Sequence, residues 1–245
     1  AASDVYKRQE WNLEYVENED KWEILIHSDE KIDTYIKSKT DKIEFQNWDE
    51  GTLISLSMLD KLIDENNMQK SKVKFYKTVE KVKKHLAMIF HRFIEEDNLQ
   101  IYVNKNLLEA WNPFIRQNPA TMELACEELF DGKTIVSIEP YILPHKTKFE
   151  DEEAFKKAGG AKDWLAHQGF YVYRNRRLIV YGTWFGKFKK EPAYNLARIK
   201  LDMSSESDFE WGIDIKKSKA TLPVSIEESV IQIAYLAIEL SLIHI

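Results

Sequence analysis

Apolar and polar positions along the chain fall into two rhythms, a period of two and a period of three to four, and their order predicts an α+β protein. Leu13 to Val16 and Trp22 to Ile26 alternate on either side of an acidic ENED turn, which predicts an antiparallel pair. Ile32, Tyr35 and Ile36 sit at helical spacing in a polar stretch, giving a short amphipathic helix or ordered loop. Asp49, Glu50 and Gly51 form a turn from which Thr52 to Ser57 leaves as a strand, followed by the amphipathic MLDKLIDE. The longest periodic stretch is Val73 to Ile94, where Tyr76, Val79, Val82, Leu86, Ile89, Phe90 and Phe93 recur every three or four residues and lysines fill the other face. At 1.5 Å per residue this helix spans about 33 Å.

Leu99 to Val103, an Asn104-Lys105-Asn106 turn and Leu107 to Trp111 predict a hairpin that Asn112-Pro113 stops. A domain boundary between Pro113 and Pro119 fits this interruption. Thr134 to Leu143 is β-rich, and Pro140 confines its position to a bulge, an edge or a bend. The charged segment HKTKFEDEEAFKKAGGAKD resembles a mobile insertion more than core. Its Gly159-Gly160 pair lacks the surroundings of a phosphate-binding loop. Gly169 to Tyr173 and Leu178 to Tyr181 flank Arg174-Asn175-Arg176-Arg177, a second hairpin with three arginines at its tip. Ala197 to Leu201 alternates apolar and charged residues like a half-buried strand, SSESD supplies a loop, and Trp211 to Ile215 resumes as a strand. After Pro223, residues Ile226, Val230, Ile233, Leu236, Ala237 and Leu240 trace one face of a closing helix.

With 245 residues, 44% of them hydrophobic and 12% aromatic, the chain has ample material for a packed core. A net charge of −6 argues against broad adhesion to nucleic acid, although a local basic patch can still provide it. The single cysteine, Cys126, excludes an intrachain disulfide and is most simply a small core residue. With neither a secretory leader nor an apolar run long enough for a bilayer, the expected compartment is the cytoplasm and no membrane contact is expected. The termini AASDVYKRQ and SLIHI differ in character from the chain between them. Residues 1–9 and 241–245 are therefore set aside as non-native scars flanking a truncated reading frame.

Chemistry is concentrated in two basic clusters. The Trp211 to Ile215 run empties into Lys216, Lys217, Ser218 and Lys219, where crowded ammonium groups repel one another and a phosphate oxygen would relieve the repulsion. A solvated basic turn is the plain alternative. Arg174, Arg176 and Arg177 invite nucleic acid or an acidic protein, against a plain reading of snorkelling side chains at a wet tip. His85 and His91 are six residues apart, which is not the spacing of a helical zinc pair, so they read as packing or surface residues. A hydrolase built on His145 or His167 lacks any visible nucleophile, base and acid spacing.

Four segments taken together, GTLISLSMLDKLI, VEKVKKHLAMIFHRFI with LQIYVNKNLLEAWNPF, QGFYVYRNRRLI, and ARIKLDMSSESDFEWGIDIKKSKATLP, resemble the GHKL ATPase superfamily. That superfamily groups gyrase B, MutL, the large heat-shock chaperones and MORC-type ATPases. The closest likeness is to bacterial ATP-binding proteins of the MORC or chaperone-like sort. It spans nearly all of Trp11 to Leu240 and is strongest from Gly169 to Pro223.

The resemblance implies the end of a Bergerat-type α/β sandwich with its connecting helix and hairpin over residues 10–113, a transducer-like domain over 114–225, and a C-terminal helix over 226–240. It matches Gly51 and Thr52 to the Gly-Thr that opens the last strand of the ATPase domain, beside the adenine-binding carboxylate. It matches Lys217, with Lys216 and Lys219 as neighbours, to the transducer lysine that reaches the nucleotide's γ-phosphate. ATP and Mg²⁺ are the implied cofactors, and an ATP-dependent homodimer the implied assembly. The chain departs from the pattern in having no helix with the general-base Glu and magnesium-binding Asn, no DxGxG and no glycine-rich lid. On this reading the parent is an ATPase and the fragment is inactive alone. The alternative is a non-enzymatic module that holds nucleic acid or an acidic protein through the arginine tip and the lysine segment.

Overall fold

The structure, a computed structural model, describes residues 9–10, 25–26, 67–213 and 220–244. The chain divides into two units, Ala1–Leu59 and Asp60–Ile245. In the first, β1 (Gln9–Glu10) pairs antiparallel with β2 (Leu25–Ile26). Its second strand lies within the predicted Trp22 to Ile26 run, but the partner is Gln9–Glu10, so a residue set aside as terminal scar takes part in pairing. The Leu13 to Val16 strand, the element at residues 32–36, the Thr52 to Ser57 strand and the MLDKLIDE stretch lie outside the described residues.

The second unit is α+β. Its first helix, α1 (Met68–Ile89), is capped by Asn67, whose side-chain oxygen accepts the amide of Lys70 at 3.0 Å. The predicted single helix is divided: Phe90 leaves helical geometry and α2 (His91–Glu96) follows. A short hairpin of β3 (Tyr102–Val103) and β4 (Asn106–Leu107) turns through Asn104 and Lys105, both in the left-handed region. It occupies only the inner part of the hairpin expected from Leu99 to Trp111.

A six-stranded mixed sheet dominates the unit. Its strands are β5 (Met122–Glu123), β6 (Glu127–Phe130), β7 (Ile135–Ile142), β8 (Gly169–Arg174), β9 (Arg177–Thr183) and β10 (Ala197–Met203). Both β5 and β6 pair with β7, followed by β10, β8 and β9. The β10/β8 pair is parallel and the others are antiparallel.

Pro140 lies inside β7, in register with Ile199 of β10. Its carbonyl faces the other way and accepts the amide of Leu124 at 3.0 Å. In an extended strand a residue's N–H and C=O point to the same neighbour, so the donor that proline lacks faces the gap between β5 and β6. The interruption expected at Pro140 is thus borne by the partner strand. Cys126 sits in that gap and is exposed, which corrects its assignment to the core.

Side chains two apart share a face of a strand, so β10 sorts its residues cleanly. Ala197, Ile199, Leu201 and Met203 face one side, where α4 (Val224–His244) buries Ile226, Val230, Ile233, Ala234, Ala237 and Ile238. Removing side chains of this size from water is worth about 1.5–3 kcal/mol each for the larger ones. The helix runs past Leu240, and Ser241 is buried with its hydroxyl donating to the Ala193 carbonyl at 3.0 Å. Arg198, Lys200 and Asp202 face the opposite side with Tyr141, Tyr171 and Tyr173 of the flanking strands.

This second face is also covered. Phe114 packs on Tyr141, Tyr171 and Tyr173, and His91 of α2 meets the Tyr173 hydroxyl at 2.8 Å. The half-buried strand expected from charge alternation is therefore a central strand enclosed on both faces. The charged segment expected to be a mobile insertion is packed as well. It forms α3 (Glu152–Ala158), and Phe155 stacks on Trp164 with ring centroids 4.7 Å apart, with Phe149 edge-on to both.

The β8–β9 hairpin forms as predicted, closed by Asn175 and Arg176 at positive φ. Gly182 is the extra residue where the register shifts between Phe170 and Tyr171. Its φ is +59°, and a Cβ there would overlap the Ala166 carbonyl oxygen. Left-handed geometry alone costs a non-glycine residue about 1–2 kcal/mol. Gly182→Ala is therefore expected to lower the unfolding free energy by more than about 2 kcal/mol in urea titrations; a change within 0.5 kcal/mol, roughly the scatter of neutral surface substitutions, would contradict this account.

Candidate functional site

The described chain before the predicted lysine segment follows the end of β10. Past β10, Ser204 caps a single 3₁₀ turn, Ser205–Ser207, by accepting the Glu206 amide. The chain then reaches Trp211, which is fully buried. Trp211 is no strand residue: Gly212 adopts φ +54° and the Ile213 amide turns back to the Asp208 carbonyl at 2.9 Å, which corrects the expected Trp211 to Ile215 strand over Trp211 to Ile213, Asp214 and Ile215 lying outside the described residues. The Trp211 indole N–H donates to Asp131 Oδ2 at 3.0 Å, and its carbonyl accepts both the amide and the hydroxyl of Thr221, at 2.8 and 3.1 Å.

Asp131 ties this point to the rest of the fold. Its other carboxylate oxygen accepts the amides of Lys133 and Thr134 at 2.9 and 2.8 Å in the β6–β7 turn. Its backbone carbonyl accepts the Ser225 hydroxyl of α4 at 2.7 Å. Burial acts to raise the pKa of Asp131, but hydrogen bonds from Ser207, Thr134, Lys133 and Trp211 outweigh it and hold the carboxyl below its ordinary range. In sequence, Lys216, Lys217 and Lys219 fall between the described Ile213 and Ala220. Those three lysines, and Gly51 and Thr52, lie outside the described residues.

The arginine tip is at the same end of the sheet. Arg174 makes a two-pronged pair with Asp208 at 2.5 and 2.7 Å. Arg176 bridges Glu96 and Asp97 at the end of α2, at 2.5 and 2.9 Å, and also lies over the Phe93 ring. Arg177 is exposed and stacks over Phe90 at 5.4 Å. All three guanidinium groups thus have intramolecular contacts that fasten the hairpin to α2 and to the chain leading to Trp211. These ion pairs are half-exposed, so their main effect is on geometry rather than stability.

His91 is a buried packing residue, as its spacing suggested, held between Tyr173 and Glu95. His145 is at the protein surface. His167 is buried, stacked on Tyr181 with centroids 5.6 Å apart, and its Nδ1 lies 3.1 Å from the Tyr171 hydroxyl. Burial, followed by the charges of Arg198, Lys190 and Lys162, lowers its pKa to about 3. A histidine kept neutral in this way is a poor proton carrier near neutral pH.

Sequence reasoning missed Arg198. It is wholly buried, with its guanidinium between the rings of Trp111, Trp164 and Tyr171 at 5.3 to 5.9 Å, and Nη1 donates to the Pro113 carbonyl. The only available signal was the number of aromatic residues in segments 111–114 and 149–171, since nothing in ARIKLDM distinguishes an enclosed arginine from a wet one.

The chain matches no known family profile, no curated protein and no solved structure. Among the described residues no three His, Cys, Asp or Glu side chains gather into a metal site, so residues 67–213 and 220–244 offer no ready ligand set for Mg²⁺. No described helix is long and apolar enough to cross a membrane. What the described residues offer is a buried hydrogen-bonded anchor at Trp211 and Asp131, which precedes the lysine-bearing segment in sequence.

Proposed function

We propose that the chain is part of a GHKL-type ATPase, and that its second unit is the transducer that turns contact with a nucleotide's γ-phosphate into domain movement. The observation that carries this reading is the anchor at Trp211, which adjoins the lysine segment in sequence. A cation that senses a phosphate transmits force only if its base is stiff, and Trp211 links the segment at once to Thr221, to the β6–β7 turn through Asp131, and through that residue's carbonyl to Ser225 of α4. Arg174 and Arg176 brace the neighbouring hairpin against the same region, so these two guanidinium groups are engaged in holding the scaffold. The lysine segment is the better candidate for an external anion.

In this reading Lys217 places its ammonium on a γ-phosphate oxygen, with Lys216 and Lys219 raising the local potential. ATP and Mg²⁺ are held by an upstream nucleotide domain to which Gly51 and Thr52 contribute. A second copy of the chain is the partner for ATP-dependent closure. The test joins this chain to the upstream ATPase domain and compares single alanine variants of the three lysines. Lys217→Ala is expected to lower turnover by about 10²–10³-fold, the scale of losing one preorganised charge-stabilising donor, and to abolish ATP-dependent dimerisation. Unchanged turnover and dimerisation in all three variants would remove the lysine segment from this role.

A further inference from the structure

On the covered face of the central strand, charges pair with charges. Lys200 holds Glu139 at 2.7 Å, and Asp202 holds Arg92. Arg198 departs from this pattern. Its Nη1 reaches a neutral carbonyl, while its buried Nε and Nη2 have no hydrogen-bond partner. Those two atoms form the side-on edge of the guanidinium, the edge that matches the two oxygens of a carboxylate. This protein uses the same edge twice, from Arg174 to Asp208 and from Arg116 to Glu123.

The surroundings narrow the partner. The rings of Trp111, Trp164 and Tyr171 lie against the guanidinium. Trp111 is also a wall of a cleft of about 770 Å³, where Ile115, Phe149 and Ala158 supply apolar surface and Glu95, Glu150 and Lys148 supply charge. The cleft is open, with both apolar and charged walls, and the Trp111 ring belongs both to it and to the enclosure of Arg198. A single guanidinium neutralises a monoanion, whereas a phosphoryl dianion would carry surplus charge into an aromatic enclosure.

We propose that Arg198 anchors a binding site for a small organic carboxylate with an apolar body, the carboxylate taking the Nε and Nη2 edge and the body lying past Trp111 in the cleft. Binding requires the Trp111 ring to swing aside. That ring donates from Nε1 to the Lys157 carbonyl at 3.1 Å and packs on the His167 ring with centroids 5.0 Å apart, and both contacts give way when it moves. The proposal is independent of the transducer reading, since it involves neither the lysine segment nor nucleotide.

The experiment titrates the 245-residue chain with benzoate, acetate, benzamide and inorganic phosphate at fixed ionic strength, following heat of binding and thermal unfolding. Benzoate is expected to bind saturably and raise Tm by roughly 3–5 °C at high occupancy, acetate to bind at least about tenfold more weakly, and benzamide not to bind. Arg198→Lys keeps the charge but loses the two-donor edge, and is expected to weaken benzoate about tenfold or more. Arg198→Met replaces an unpaired buried charge by an apolar chain of similar length, so it is expected to fold with Tm at or above that of the parent and to show no benzoate response. Should Arg198→Met fail to fold, the lysine variant and the benzoate against benzamide comparison decide the matter. Equal responses to benzoate and benzamide, unaltered affinity in Arg198→Lys, or no saturable binding would each overturn the proposal. Saturable phosphate binding without benzoate binding would reassign the edge to a phosphoryl group and overturn the carboxylate.

Discussion

Trp211→Ala is expected to lower the unfolding free energy by about 3–5 kcal/mol, the range for truncating a buried tryptophan, with the midpoint of urea unfolding falling accordingly. Two losses add. The ring is fully buried against the sheet core, so its removal leaves a cavity that a close-packed interior closes only in part. Its indole N–H also supplies one of the hydrogen bonds that keep the buried Asp131 carboxylate ionised. Trp211→Phe separates the two effects, because phenylalanine keeps most of the apolar contact but cannot donate. It is expected to cost about 1–3 kcal/mol, the penalty for leaving a buried acceptor short of a partner. Equal losses for the two variants would show that packing contributes little here and that the hydrogen bond dominates. A loss below about 1 kcal/mol for Trp211→Ala would mean that this residue is no anchor.

The second large effect concerns acid. The unfolded chain binds a proton at His167 near pH 6.5, whereas the folded protein resists protonation down to about pH 3. Between those values the unfolded state holds more protons, so the contribution of His167 is fully present above pH 6.5 and is lost as pH falls toward 3. The loss amounts to about 2 kcal/mol by pH 5. Carboxyls with lowered values, such as Asp131, Glu95 and Glu139, act in the same direction but mainly as pH falls below about 5, so the interval from 6.5 to 5 is dominated by the histidine. Stability of His167→Gln measured across that interval is expected to be nearly flat while the parent falls. Superimposable slopes would rule His167 out as the cause. Burial of the imidazole sets the sign of this effect; the charges of Arg198, Lys190 and Lys162 reinforce it and Asp163 opposes it.

How far the sequence disclosed all this depends on which interactions are local. The β8–β9 hairpin was legible because alternation and an Asn-Arg turn act within a few residues, and the same holds for β10, the Ser205–Ser207 turn and α4. The place of β10 in the sheet was not legible. Alternating charge normally marks a strand with one wet face, whereas here Lys200 and Asp202 are neutralised sideways by Glu139 and Arg92, which lie far away in sequence. Trp211 to Ile215 has the alternation of a strand, yet Gly212 at positive φ and the pull of Asp131 make its start a turn. Phe90 interrupts α1 and α2 with neither proline nor glycine to announce it. At the candidate site, the lysines were visible as a charge cluster, but the anchor was not, because Trp211, Asp131 and Ser225 meet only once the sheet has formed.

The parallel seam between β10 and β8 also constrains the order in which a growing chain can complete its sheet. Both β7 and β8 are synthesised before β10, and each has its other edge already spoken for, by β5 and β6 or by β9. Until residues 197–203 clear the ribosome, two long apolar strands each present a row of unanswered amides and carbonyls. The last strand of this sheet to be made is thus a keystone, and the nascent sheet is most exposed to mispairing in the interval just before it arrives.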